Sequence, residues 1–237
     1  APRRPVAGEA APEPLEVVER GVPFEVHLGD GLSTGLFLDQ RDNRQRIREL
    51  SRGARVLNLF AYTGSFSVLA ALGGAESTTT VDVSRTVLAW AERNLARSGH
   101  TPPAHAVVES DVFVFLERAA ERGERWGVII LDPPSFSTTK RSRFSAEADY
   151  GALAEKALAV LAPGGHLLAC TNHRGIGLAK LRRKLREAAN RCGHEVARLR
   201  SMPDPSDFPP PPGETCHLKC AWLTAGSAPG AFEAPPR

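Results

Sequence analysis

From Gly53 onward the chain alternates short apolar runs with stretches of helical spacing, and this alternation limits its fold more than any other feature. RVLNLF, STTTVDV, HAVVES, WGVIILD, GHLLACT and HEVARL read as strands. The segments between them, GSFSVLAALG, SRTVLAWAERNLARSG, DVFVFLERAAERG, ADYGALAEKALAVLAPGG and IGLAKLRRKLREAANRCG, read as helices. Strand alternating with helix implies βαβ units, hence an α/β, doubly wound, mainly parallel sheet. A seventh run, CHLKCAWLTA, follows the proline-rich link Pro203 to Pro212 with no helix between. It is expected to lie antiparallel, at or near an edge, completing a seven-stranded sheet. Upstream, LEVVERGVPFEVHL alternates around Arg20-Gly21, the pattern of a β-hairpin. A helix is expected from near Asp39 to just before Gly53. The expected organisation is a disordered tail over 1–14, a hairpin-and-helix appendage over 15–50, one domain over 51–225 and a second disordered tail over 226–237.

At 237 residues the chain can bury one large α/β core. It has neither a continuous apolar stretch of membrane-spanning length nor a charged-then-apolar signal sequence. Its four cysteines, Cys170, Cys192, Cys216 and Cys220, are too scattered for a disulfide framework. These features predict a cytoplasmic protein with free thiols and no membrane partner. The net charge of +3 does not by itself identify a nucleic-acid binder. Its distribution is more informative, because Arg41 to Arg48, Lys140 to Arg143 and Lys180 to Arg186 form three basic clusters, although any one of them taken singly reads first as a solvated face.

The stretch WGVIILDPPSF, Trp126 to Phe136, carries most of the chemistry. A continuous Val/Ile/Leu run is a strand buried on both faces, and ligands of such sheets bind at the carboxyl ends, where Asp132 would sit. Pro133 and Pro134 fix their φ angles and donate no hydrogen bond, so the following loop is stiff and nearby carbonyls are left free to accept. A rigid acceptor beside an aromatic suits a flat, amino-bearing base. In RVLNLFAYTGS the strand-to-helix turn holds the single glycine Gly64. A dinucleotide pyrophosphate needs several glycines there, so NAD fits poorly, whereas an amino-acid moiety needs only hydrogen-bond partners. Asp82 ends the second strand, where an acid commonly takes both ribose hydroxyls, and Ser84 is expected to cap the next helix. Asp111 and Val112 open another helix, where a carboxylate can accept from an adenine amino group while the backbone N–H donates to the ring. Each acid could instead be a helix cap. Together, Asp82, Asp111 and Asp132 outline a nucleoside-sized pocket.

LDQRDNR, LNLFAYTGS, GGAESTTTVDVSRTVLAWAERNL, LDPPSFSTTKR and TNHRG resemble class I S-adenosylmethionine-dependent methyltransferases with their Rossmann-like sheet. Within these, the chain looks most like the guanine-N7 methyltransferase half of the two-headed large-subunit ribosomal RNA enzyme. It also shares patterns with the rRNA cytosine-5 methyltransferases. The resemblance covers roughly Leu15 to Ala225. It implies S-adenosylmethionine as cofactor and RNA as partner. Phe60, Tyr62, Thr63 and Gly64 would line the methionine moiety, Asp82 the ribose, and Asp111 with Val112 the adenine. Asp132, Pro133 and Pro134 would lie between methyl donor and target base, and Phe37, Gln40 and Arg41 would close over the cofactor or meet the RNA. Relatives of this kind carry a further RNA-binding module or a second catalytic half on the N-terminal side, where this chain has a short hairpin.

The methylated atom depends on Cys170 and Asn172. Methylating cytosine C5 needs a thiolate to add to the ring first. By resemblance Thr171, not Cys170, takes the nucleophile position, and a one-residue slip turns a strand side chain to the opposite face. Guanine N7 has an exposed lone pair and needs only positioning. Asn172 matches the Asn of the guanine-N7 pattern and would hold the guanine edge with Asp132, while His173 and Arg174 would meet phosphate. Asn172 could also be a plain turn residue. In Cys216-His217-Leu218-Lys219-Cys220, alternation puts both cysteines on one face and His217 on the other, so no metal site is expected. Three other readings remain open: cytosine-5 methylation through Cys170, a Rossmann oxidoreductase, and a non-catalytic RNA-binding protein.

Overall fold

The computed structural model describes residues 7–29, 33–138, 143–203, 205–210 and 216–227. The chain divides into two compact units, Ala1–Asp111 with Pro205–Phe208 and Val112–Asp204 with Pro209–Arg237.

The first unit begins with the expected hairpin, β1 (Leu15–Glu19) and β2 (Val22–Val26), paired antiparallel across Arg20-Gly21. A single 3-10 turn, Leu38–Gln40, leads into α1 (Arg41–Leu50). Then follow β3 (Arg55–Leu59), α2 (Ser65–Leu72), β4 (Ser77–Asp82), α3 (Arg85–Arg97) and β5 (His105–Glu109). β3, β4 and β5 are parallel neighbours. α3 forms because Leu88, Ala91 and Leu95 recur at helical spacing and bury one stripe. It stops at Gly99, where His100 N–H reaches the Leu95 carbonyl and Gly99 N–H the Ala96 carbonyl, a left-handed glycine closure.

The second unit holds α4 (Val112–Glu121), β6 (Trp126–Leu131), a short hairpin of β7 (Phe136–Thr138) and β8 (Arg143–Ser145), α5 (Ala146–Ala159), β9 (Leu161–Thr171), α6 (Leu178–Arg191), β10 (Val196–Ser201) and β11 (Lys219–Ala225). The seven-stranded sheet has the order β10-β11-β9-β6-β3-β4-β5. β6 and β9 are parallel, and β11 is antiparallel to both β9 and β10. The last strand is therefore one place in from the edge, which β10 occupies.

Three expectations need correction. The helix read over 148–165 ends at Ala159, and Leu161 already pairs with Trp126. Pro163-Gly164-Gly165 lies inside β9, where the ladder skips from Trp126–Leu161 to Val128–His166 and the intervening residues loop out. The β7–β8 hairpin was not expected, because three-residue strands carry too little alternation to read. β10 begins and ends two residues later than HEVARL suggests. Of the basic cluster after the prolines, Lys140 and Arg141 lie outside the described residues, as do 1–6 and 228–237 of the expected tails.

Polar anchors fix the N-terminal hairpin. Arg44 of α1, 1% exposed, is bidentate to Glu19 of β1 at 2.8 and 2.6 Å and donates to the Phe37 carbonyl at 2.8 Å. Glu25 of β2, also buried, accepts from Arg93 of α3 at 2.7 Å and lies 2.8 Å from His27. The Arg93 guanidinium holds the Glu25 carboxyl at about 2, against an ordinary 4.5. Because the folded value is depressed, its stabilisation is complete above the ordinary value and is lost as pH falls from about 5 toward 2. Glu25→Gln is expected to lower stability by about 1 to 3 kcal/mol at pH 7. In urea titrations the gap from the unsubstituted protein should narrow markedly at pH 3; an equal gap at both values would refute the assignment.

Candidate functional site

In the first unit the site residues gather on the turn between β3 and α2. Three of its five residues are left-handed, Phe60 at φ 56°, Tyr62 at φ 50° and Gly64 at φ 74°. Two of these bear side chains, and each such residue costs roughly 1 to 3 kcal/mol unless its surroundings hold it. The surroundings here are extensive. Ala61 N–H donates to the Val81 carbonyl at 3.0 Å and Gly64 N–H to the Ala61 carbonyl at 2.9 Å. Thr63 Oγ1 donates to the Gly35 carbonyl at 2.6 Å, and the Tyr62 hydroxyl to the Ser33 carbonyl at 2.8 Å. Asn94 of α3 accepts from Glu25 N–H at 3.0 Å and donates to the Thr63 carbonyl at 3.0 Å. A side chain at Gly64 would put Cβ 2.8 Å from Ala91 Cβ, so the position needs glycine for space as well as for conformation.

Asp82 lies at the carboxyl end of β4, half-buried. Its Oδ2 accepts from Tyr62 N–H and its Oδ1 from Ser84 N–H, each at 3.0 Å. Burial pushes its carboxyl above the usual range, opposed by the backbone donors of Ser84, Tyr62 and Val83. A carboxylate has about four lone-pair directions, so beside these backbone donors it keeps capacity for a hydroxyl donor. Ser84 stands at the N-cap of α3, but its side chain makes no capping bond, which corrects the expectation. Ser110 N–H donates to the Asp82 carbonyl at 2.9 Å, which sets Asp111, partly buried, one residue beyond. Val112 is the buried first residue of α4 in the second unit.

The segment before α1 splits its expected residues. Phe37 is 49% exposed, with its ring centroid 5.5 Å from that of Tyr62, so it shares the turn's surface. Gln40 is buried, and its amide oxygen accepts from Asn43 at 2.6 Å, a place in the root of α1. Arg41 is bidentate to Asp207 at 3.0 and 2.7 Å.

In the second unit β6 delivers Asp132, half-buried, to its carboxyl end, followed by buried Pro133, exposed Pro134, Ser135 and Phe136. Phe136 is 66% exposed and meets His173 edge-on at 5.4 Å. Asn172 follows β9 directly, and Ser135 Oγ donates to its Oδ1 at 2.7 Å. That bond ties the Asp-Pro-Pro loop to the end of β9 and leaves the Asn172 NH2 group facing away from the serine. Cys170 is fully buried, with its sulfur 3.0 Å from that of Cys220 and its carbonyl accepting from Tyr150. Sequence reasoning missed Asn94, Gly35 and Ser135. A polar residue beside the buried stripe of α3 was the available signal for Asn94; Gly35 and Ser135 gave none without coordinates.

Among the described residues no helix is long and apolar enough to cross a membrane. Residues 5–219 match the family described as S-adenosylmethionine-dependent methyltransferase. The chain is 48% identical over 160 residues, 67% of its length and 22% of the relative's, to ribosomal RNA large subunit methyltransferase K/L of Methylococcus capsulatus. It is 37% identical over 218 residues, 92% of its length and 53% of the relative's, to a ribosomal RNA large subunit methyltransferase of Deinococcus radiodurans. Among solved structures, a methyltransferase in complex with SAH superposes with a TM-score of 0.84 at 32% identity, covering 92% of this chain and 58% of that one. The chain thus spans about half or less of the length of these curated relatives.

Gly64→Ala is expected to destabilise the protein by about 2 to 4 kcal/mol, from a left-handed alanine and the crowding against Ala91 together. Chemical denaturation measures it, and a change below about 0.5 kcal/mol, the scale of an indifferent surface substitution, would show that the close approach is not real.

Proposed function

The chain belongs to the S-adenosylmethionine-dependent methyltransferase family, and we propose that it methylates a base of large-subunit ribosomal RNA, at guanine N7. The RNA substrate is supported by the relatives, which are named as ribosomal RNA large subunit methyltransferases. The observation that carries the choice of atom is the Ser135–Asn172 bond. It occupies the Asn172 carbonyl and leaves an NH2 donor for an acceptor edge, and the N7/O6 edge of guanine has only acceptors.

S-adenosylmethionine supplies an electrophilic methyl on a sulfonium centre. The residues of this chain fit it. The Phe60 to Gly64 turn offers a narrow, backbone-lined surface with a single glycine, suited to the methionine moiety. Asp82 keeps capacity for a ribose hydroxyl. In this reading Asp111 accepts from the adenine amino group and Val112 N–H donates to the ring. On the substrate side, Asp132 accepts from the N1–H and 2-amino group of guanine, Pro133 and Pro134 keep that loop stiff, and Asn172 donates to O6. N7 attacks with its own lone pair, so no side chain has to remove a proton. Positioning alone can lower such a barrier by several kcal/mol. Methylation leaves the purine ring cationic, and the Asp132 carboxylate offsets that charge. The burial of Cys170 on Cys220 favours this direct route over covalent attack of a thiolate at cytosine C6.

Asp82→Asn should weaken S-adenosylmethionine binding by about 1.5 to 3 kcal/mol, through loss of a charge-assisted hydrogen bond to the ribose. Calorimetry reads this directly, and unchanged affinity removes Asp82 from the cofactor site. Incubated with large-subunit rRNA, the protein should yield 7-methylguanosine in nucleoside mass spectrometry, with Cys170→Ser as active as the unsubstituted chain. 5-Methylcytidine, lost in Cys170→Ser, would establish the covalent route instead.

A further inference from the structure

The stretch Leu178–Ser201, α6 through β10, holds eight Lys or Arg residues and two Glu, a net of +6 in a chain whose total is +3. The rest of the chain is therefore net negative, and the positive charge is concentrated in one helix and one edge strand of the second unit. Part of it is neutralised locally: Lys180 pairs with Glu147, Arg183 with Glu187 and Arg191 with Glu155. Arg186, Arg198 and Arg200 are exposed and have no ion pair among the described residues.

These arginines lie on two adjoining elements, α6 and the edge strand β10. Arg182 and Arg186 are four residues apart on α6 and so share a flank. Arg182 Nη2 donates to the Leu199 carbonyl at 3.3 Å, which fastens that flank to β10. Leu199 sits between Arg198 and Arg200, which alternation places on one face of the strand. Arg182 Nε is buried and finds no partner among the described residues. Charges on an edge strand can serve only to discourage edge-to-edge pairing. That role needs no arginine on the neighbouring helix and no helix flank fastened beside the strand. Arginine rather than lysine predominates, and its planar fork matches phosphate bidentately.

We propose that the flank formed by Arg182 and Arg186 of α6 with Arg198 and Arg200 of β10 is a docking surface for the sugar–phosphate backbone of RNA. The loop after Asn172 runs straight into α6, and exposed Arg174 lies on it, so a backbone held on α6 continues toward the residues assigned to the base. The proposal rests on the RNA reading above and assigns affinity to a surface that takes no part in methyl transfer.

The test uses the full 237-residue chain and the triple variant Arg186→Gln, Arg198→Gln, Arg200→Gln, with Arg52→Gln, Arg85→Gln, Arg122→Gln as the control. Anisotropy with a labelled rRNA fragment is read against KCl concentration. The α6–β10 variant is expected to bind at least tenfold more weakly. Its log–log salt slope should fall by about two to three, at roughly 0.7 to 0.9 for each phosphate no longer neutralised. The control should match the unsubstituted chain. The KM for RNA should rise while kcat at saturating RNA and the affinity for S-adenosylmethionine stay the same. Unchanged affinity and slope overturn the surface and leave the RNA reading standing. A chain that neither binds nor methylates RNA overturns both. Binding to phosphatidylglycerol vesicles that the variant loses, with RNA binding intact, overturns the proposal in favour of a lipid surface.

Discussion

Asn94 joins two segments that sequence keeps far apart, and the geometry of the turn between β3 and α2 depends on it. Its amide oxygen takes the Glu25 N–H of the hairpin and its amide nitrogen gives to the Thr63 carbonyl, both at 3.0 Å. It is fully buried, so losing either partner would leave a desolvated polar group costing about 1 to 3 kcal/mol. The same turn is held from another side by the Gly35 carbonyl on Thr63. At Gly35 a Cβ would fall 2.4 Å from the Trp90 ring, and Trp90 in turn donates to the Glu25 carbonyl. Hairpin, α3, the 33–37 segment and the turn thus form one hydrogen-bonded assembly. The left-handed residues Phe60 and Tyr62 persist because this assembly leaves them no relaxed alternative.

This changes the meaning of the N-terminal hairpin. A lone two-stranded hairpin is marginal in water. Here it is fastened by two carboxylates with different partners. Glu19 meets a buried arginine and Glu25 a half-exposed one. A buried ion pair adds little net stability but penalises any arrangement that separates its members. The pairs therefore do more to specify where the hairpin sits than to hold it down. Apolar burial of Val22 and Phe24 against Val68, Leu69 and Leu95 supplies the general attraction.

What could be read in advance follows from which interactions are local. β3, β6 and the helices carry their signal in periodicity and in glycine stops, so the α/β alternation was legible. β7 and β8 are too short to show a period, and the Pro-Gly-Gly inside β9 looks like a helix terminator because a loop that interrupts a ladder uses the same residues. Among the residues proposed for the site, Asp82, Gly64, Asp132 and Asn172 announce themselves by standing at strand ends. Gln40 came from the family resemblance and Ser84 from the preference of serine for helix starts; Asn43 donates to Gln40, and the Ser84 hydroxyl makes no capping bond. The partners that hold the site, Asn94, Gly35 and Ser135, act across 28 to 69 residues of sequence. Spacing alone cannot reveal them.

Asp82 shows why a structural and a functional role need not compete. As a cap it satisfies Tyr62 N–H and Ser84 N–H, and those bonds fix the direction of its remaining lone pairs. A carboxylate free to rotate would lose side-chain entropy on meeting a hydroxyl; one already locked by two amides has lost it on folding. Burial makes the charge costly, and that cost falls when a hydroxyl donor completes its shell. Ser135 treats Asn172 in the same way in the second unit, since occupying one end of an amide decides what the other end can read. In both places the groups proposed to meet a ligand are the unused halves of side chains whose other halves are committed to the fold. Specificity then comes from orientation, and the scaffold can be large while the reacting groups are few.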